Sequence, residues 1–213
     1  MPYIFDNLDD ESRLGPKLQN EFHKSLSMDV AVGYFNLRGW NMFDAEVRAK
    51  VAAGAQLPVA RVLIGMVMPG EHKQALESLQ RSVDGSEEPE ADRKRAQERR
   101  NELLVYLREQ LMHGMPTQKD RAALQSLHDL VECGAVELRV FTFRPLHGKT
   151  YILRRDDGMT PVVGFVGSSN LTHPGLMTNL ELNTTVVDQP AARELAQWFQ
   201  ERWEDKWSLP IHK

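Results

Sequence analysis

The sequence predicts an α/β domain, a layered sheet flanked by helices, on three observations. Strand-length apolar runs alternate with helix-length segments in the first 83 residues. Four short runs rich in β-branched or aromatic residues crowd together after residue 136. The chain then closes on a long amphipathic helix.

The first run, "MDVAVGYF" (28 to 35), reads as a buried strand, and "NMFDAEVRAKVAAGA" (41 to 55) continues as an alanine-rich helix. "PVARVLIG" (58 to 65) is a second strand, and the Pro-Gly punctuation of "MPGEHKQALESLQRSV" (68 to 83) leads into a further helix. The segment 84 to 100 is dense in charge but balanced in sign. A loop running into a helix suits it, because Leu103, Leu104, Leu107 and Leu111 follow at helical spacing. "MPT" then breaks the chain, and Thr117 with Asp120 forms a capping pair for a helix that puts Leu124, Leu127, Leu130 and Val131 on one face before Gly134 stops it. Residues 84 to 134 are therefore expected to be a helical insertion within a single domain spanning 1 to 213.

The later strands are expected at 136 to 143, 149 to 154, 161 to 168 and 181 to 188, bounded by turn residues such as Asp156, Asp157 and Gly158. The final helix, 191 to 207, carries Leu195, Trp198, Phe199 and Trp203 on one face, a spacing that reads as core.

Composition narrows the class. The 213 residues are 41% hydrophobic and 26% charged, the balance of a globular protein and not of a disordered one. The apolar run 59 to 68 is interrupted by Arg61 and is too short to span a bilayer, and the acidic N-terminus lacks a signal peptide's basic region and apolar core. A cytoplasmic location without membrane partners is expected. The single cysteine, Cys133, excludes an internal disulfide and reads as a packing residue. "NLT" (170 to 172) and "NTT" (183 to 185) match glycosylation acceptors, which are idle without secretion. A net charge of −4 makes the whole molecule no magnet for nucleic acid, but Arg139, Arg144, Lys149, Arg154 and Arg155 cluster between residues 137 and 155 against one acid. A solvated strand edge is the plainer account of that cluster.

The stretch 146 to 172, "LHGKTYILRRDDGMTPVVGFVGSSNLT", holds the chemistry. Residues two apart in an extended chain project to the same side, so His147 and Lys149 point together with Gly148 between them. Gly167 allows close backbone approach, Ser168 offers a hydroxyl and Asn170 an amide just past the strand end. Together these groups can surround a phosphate. Lys149 and Asn170 would bind nonbridging oxygens, and His147 could attack phosphorus as a nitrogen nucleophile. Such a ring needs a partner to fix its tautomer, and Glu181 can supply the carboxylate.

The ordered set "LHGKTYIL", then "GFVGSSNLTHPGLMTNLELN", resembles the His-Lys-Asp motif region of the phospholipase D superfamily. Its form is similar to the nuclease-like branch, which includes metal-independent restriction endonucleases and modules at the N-terminus of bacterial helicases. The resemblance implies a phospholipase D-like layered sheet. It also implies that His147 forms a phosphohistidine intermediate, that Lys149 and Asn170 bind phosphate, that Ser168 assists and that Glu181 orients the histidine. One position departs from the pattern: the motif's aspartate, five residues after the lysine, is Arg154 here, with Asp156 two positions on.

The superfamily site joins two motifs, one histidine attacking while the other protonates the leaving oxygen. No second His-x-Lys occurs in this chain. A homodimer sharing one site on its two-fold axis is therefore expected. No cofactor or metal is called for, since His113, His128 and His173 lack zinc-like spacing with carboxylates or cysteines. The chain carries no Walker loop or GxGxxG, so nucleotide hydrolysis would belong to sequence outside it. Three functions stand at this point: a metal-independent DNA phosphodiesterase, as the nuclease module of a helicase or restriction system; a noncatalytic nucleic-acid-binding module with a helicase partner, favoured by Arg154; and a phospholipid hydrolase, disfavoured because no lysine-rich amphipathic helix stands out.

Overall fold

A computed structural model of the chain describes residues 4–65 and 118–211, together with 94, 97, 98, 100, 101 and 105. Among these residues one eight-stranded sheet organises the molecule, in the order β1-β7-β6-β5-β2-β3-β4-β8. The strands are β1 (Ile4–Phe5), β2 (Ser27–Val32), β3 (Ala60–Ile64), β4 (Val136–Phe141), β5 (Lys149–Arg154), β6 (Val162–Gly167), β7 (Asn183–Val186) and β8 (Ser208–Pro210). β2, β3 and β4 run parallel, while β5, β6, β7 and β1 continue antiparallel from β2 on one side and β8 adds antiparallel to β4 on the other.

Five helices whose full extent lies among the described residues cover the sheet: α1 (Leu14–His23), α2 (Leu37–Ala52), α3 (Gln118–Glu132), α4 (His173–Met177) and α5 (Gln189–Glu204). Alternation along the strands divides the apolar residues between two faces. Met28, Val30, Val32, Tyr151, Leu153 and Phe165 join Leu14, Leu18, Phe22, Trp40, Phe43 and Leu127 in the larger core, beneath α1 to α4. Ala31, Leu63, Ile152 and Val162 meet Ala192, Ala196, Phe199 and Trp203 of α5 on the other face. The stripe read from the sequence as core is core: Phe199 and Trp203 are buried and stack at 5.6 Å, with Leu195 and Trp198 packed against the cluster. Burial of an aromatic of this kind contributes about 1.5–3 kcal/mol.

Every strand expected within the described residues is present, most of them trimmed at the ends. The helix expected over 41 to 55 is α2, which begins four residues earlier, at Leu37, because the Asn36 side chain accepts from the Gly39 amide and caps it, and α1 was not anticipated from the sequence. α3 ends where Gly134 takes a φ of 75°. Its Leu127 and Leu130 are buried, while Leu124 is exposed. α3 is tied to α2 by Ser126, whose hydroxyl donates to Asp44 at 2.6 Å and accepts from Arg48 Nε at 2.7 Å. The helix expected at 68 to 83, the capping role of Thr117 and most of the insertion expected over 84 to 134 lie outside the described residues.

Candidate active site

The carboxyl ends of the parallel strands, where open α/β sheets bind ligands, collect the motif residues. Lys149 opens β5 and is 5% exposed, so its ammonium sits inside the fold. It donates to the carbonyl oxygen of His147 at 2.7 Å. Asn170 lies just past β6, and its Oδ1 accepts from the Tyr34 amide at 2.8 Å, just past the end of β2. Between them is Gly33: a Cβ built there would lie 3.3 Å from Asn170 Oδ1, 3.6 Å from the Leu146 carbonyl and 3.9 Å from Lys149 Nζ. The ammonium and the amide thus converge within 4 Å of one point above a residue that has no side chain. The close approach accounts for the glycine.

His147 occupies the connection ahead of β5, not the strand itself, and is exposed. Among the described residues its ring has no hydrogen-bond partner, while its backbone is fixed by Lys149. Ser168 follows β6 directly and is exposed. Its hydroxyl donates to the Glu181 carboxylate and accepts from the Leu182 amide at 2.9 Å. Glu181 therefore stands beside Ser168, two residues ahead of β7, with its carboxylate engaged by the serine and not by the histidine. Gly167 permits this closure, since a Cβ there would fall 2.2 Å from the Leu182 carbonyl.

Charge is arranged to match. Burial pushes the Lys149 ammonium below its usual range, and the negative charge of Glu181 pulls it back up. Burial, and then Glu181, hold the Tyr151 phenol well above its usual range, so it remains a donor, reaching the Ser169 carbonyl at 3.0 Å. Glu181 thus acts electrostatically on β5 even though its bond is to Ser168.

Several supporting residues carried no signal in the sequence. Ser169 is fully buried, donating to the Gly175 carbonyl at 2.7 Å and accepting from Asn183 Nδ2 at 2.9 Å. Asn183 also accepts from the Ser169 amide at 3.2 Å. Asn7, at a φ of 64°, donates to the carbonyls of Gly175 and Asn179, both at 3.0 Å, and accepts from the Leu14 amide at 2.9 Å. These amides fix the loop that presents Asn170. Only the proximity of "SSN" and "ELN" hinted at them, because their partners lie 6 to 172 residues away and most of the bonds span 14 or more.

Arg154, in the position of the motif's aspartate, lies at the other end of β5. Five residue steps along the strand separate it from Lys149, roughly 17 Å. Its Nε and Nη2 donate to Asp29 Oδ2 at 3.2 and 3.0 Å. Asp29 is 2% exposed and also receives Arg61 through both oxygens, at 2.6 and 2.8 Å. The departure falls in the frame of the sheet, where an acid on the neighbouring strand answers the changed charge. Among the described residues no trio of His, Cys, Asp or Glu is arranged to hold a metal, and no helix is long and apolar enough to cross a membrane.

The family profile described as "Cardiolipin synthase, PLD-like domain" matches residues 66–203. No curated protein sequence matches the chain. Among solved structures, NucT from Helicobacter pylori superposes with a TM-score of 0.55 at 10% identity, over 97% of this chain and 96% of its own. Nuc from Salmonella typhimurium, a phospholipase D family member, gives 0.53 at 13% identity over the whole of both chains. Polyphosphate kinase from Porphyromonas gingivalis gives 0.53 at 10% identity, over all of this chain and 26% of the kinase. Identities this low establish a shared fold.

Proposed function

The chain belongs to the phospholipase D-like domain family, and from that premise we propose that it is a metal-independent phosphodiesterase acting on DNA, working as the nuclease module of a helicase or restriction system. The observation that carries the reading is the convergence of buried Lys149 and Asn170 on the space above Gly33, next to the exposed ring of His147. A cation held in place before substrate arrives stabilises charge gathering on the nonbridging oxygens, and Asn170, its Oδ1 held by the Tyr34 amide, would add its Nδ2 as the donor. The likeness of the whole chain to NucT and Nuc in fold adds support.

In the proposed reaction a ring nitrogen of His147 attacks phosphorus. The bond from phosphorus to the leaving oxygen breaks with its electron pair, and that oxygen takes a proton from a second histidine. Water then attacks the phosphohistidine, giving its proton back to the second histidine, and the phosphorus–nitrogen bond breaks with its pair returning to the ring, which leaves a phosphate monoester and the free His147. Ser168 and Glu181 form a polar wall of the pocket, and the charge of Glu181 opposes the lowering that burial imposes on the Lys149 ammonium. Its role as the orienting partner of His147 would require the carboxylate to exchange its serine bond for the ring.

The second histidine is assigned to His147 of a second copy. Ile4, Thr184 and Val166 lie abreast on β1, β7 and β6, with Ile4 48% and Val166 37% exposed. Leu182, 64% exposed, continues that row toward Ser168. An apolar strip bordering the phosphate pocket suits a partner that brings its own pocket alongside. Light scattering is expected to give twice the chain mass of 24.3 kDa; monomer at high concentration would count against the shared site.

The reading as a binding module without catalysis drew on Arg154, which is engaged with Asp29 away from the pocket. The deciding experiment is cleavage of single- and double-stranded DNA in excess EDTA by the parent protein and by His147→Ala. Cleavage by the parent alone supports the phosphodiesterase. DNA binding without cleavage in both supports the module, and binding to anionic liposomes in place of DNA supports a lipid substrate.

A further inference from the structure

We propose, building on the phosphodiesterase reading, that Phe143, Arg144, Lys206 and Trp207 form a stacking subsite for unpaired bases of the strand that is led to His147. The antiparallel ladder of β4 and β8 pairs Phe141 with Ser208, and Thr142 extends it by donating its amide to the Trp207 carbonyl at 2.9 Å. Phe143 and Trp207 are thereby brought side by side, their rings stacked with centroids 5.6 Å apart and planes 18° from parallel. The Arg144 guanidinium lies over the Phe143 ring at 5.0 Å and the Lys206 ammonium over the Trp207 ring at 5.0 Å.

Both cations are exposed and both rings are half-buried. The other stacked pair, Phe199 with Trp203, is buried beneath α5 among apolar side chains and has an obvious packing role. Phe143 and Trp207 sit at the end of the β4–β8 pair, where the chain leaves the sheet. The nearest acid in sequence, Asp205, is engaged by the Trp207 amide at 3.0 Å.

Position relative to the nucleophile makes the pair more than a surface ornament. β4 lies three strands from β5, so the rings and Lys149 are about 14 Å apart along one edge of the sheet. The connection from Phe143 to His147 follows that edge, with Leu146 packed against Gly65 just past the end of β3. At 3.4 Å per stacked nucleotide the span is about four nucleotides. Aromatic faces flanked by cations suit bases and their phosphates together, and base faces are available only in an unpaired strand. The subsite therefore favours single-stranded over duplex nucleic acid.

The test is fluorescence anisotropy with a labelled 12-nucleotide single strand and its duplex, in a His147→Ala background so that nothing is cleaved. Adding Phe143→Leu is expected to weaken single-strand binding about tenfold and duplex binding much less. Adding Arg144→Glu with Lys206→Glu, both exposed changes that spare the rings, is expected to flatten the salt dependence of log affinity by about 1.4. Single-strand affinity unchanged in both variants, or lost equally for duplex, overturns the subsite. A fall in melting temperature with affinity intact would reduce the stack to a clasp for β8. Hydrolysis of bis(4-nitrophenyl) phosphate by the parent but not by His147→Ala separately tests the phosphodiesterase reading, so each idea can fail alone.

Discussion

Arg154 on β5 reaches Asp29 on β2 and gives that buried carboxylate a second guanidinium beside Arg61. Removing the shared acid leaves two cations facing each other. Asp29→Ala is expected to cost about 3 kcal/mol of stability, read as a lower denaturant midpoint. Arg154→Met keeps the Arg61 pair and removes a partly exposed partner, so its cost is expected at about 1 kcal/mol or less, with activity per folded molecule unchanged. A large loss of activity in Arg154→Met at full stability would show that this end of β5 communicates with the pocket.

On the proposed reading, the burial of Lys149 serves the chemistry of the pocket and not stability. Its folded pKa lies below the ordinary 10.5, chiefly through burial. Between that depressed value and 10.5 the unfolded chain binds more protons than the native one, so the lysine's contribution to stability rises with pH across that window. Lys149→Met is expected to lose roughly 100- to 1000-fold in activity while its stability at neutral pH equals or exceeds the parent's. The alkaline rise contributed by this residue should be missing from its stability-pH curve. A variant several degrees less stable than the parent would contradict the assignment.

Glu181 and Ser168 share one hydrogen bond but differ in what they do for Lys149. The carboxylate's charge raises the lysine's pKa, so Glu181→Gln should move the alkaline limb of the kcat/KM profile to lower pH. Ser168→Ala keeps the charge and should leave that limb in place, lowering the rate through a less well-fixed carboxylate. Identical profiles for the two variants would mean that the acid acts only as a hydrogen-bond partner.

Gly33→Ala tests how tightly the phosphate space is drawn. The added methyl would press on Asn170 Oδ1 at 3.3 Å and occupy the point on which Lys149 converges. About a tenfold loss of kcat is expected from misplacing the amide, against a stability cost of about 1 kcal/mol. Full activity in this variant would show that the reacting phosphate sits elsewhere.

The sheet was legible where composition and punctuation agreed: β5 and β6 are short runs rich in β-branched or aromatic residues between turn residues, and α5 carries its aromatic stripe at helical spacing. The short pieces were not. β1 has two residues and β8 three, too few for any period, and each exists because a longer strand needs an edge partner. α4 has five residues and is held by the Thr172 cap on the Gly175 amide. At the site, His147, Lys149, Ser168 and Asn170 were readable as an ordered set of residue types. Gly33, Asn7, Ser169 and Asn183 were not, because their roles are defined by carbonyls and amides that come near only after folding. The partner of the Glu181 carboxylate was likewise a matter of geometry, decided by how closely β7 approaches Gly167.

The loop that carries Asn170 is fastened by contacts of great sequence separation. Tyr34 grips Asn170 across 136 residues, and Asn7 grips Gly175 and Asn179 across 168 and 172. Loop closure of that length is entropically costly and comes late in folding. On the proposed reading, a chain still emerging from the ribosome would hold its histidine and lysine without the amide of Asn170, and the capacity to grip a phosphate would arrive in one step with the finished sheet.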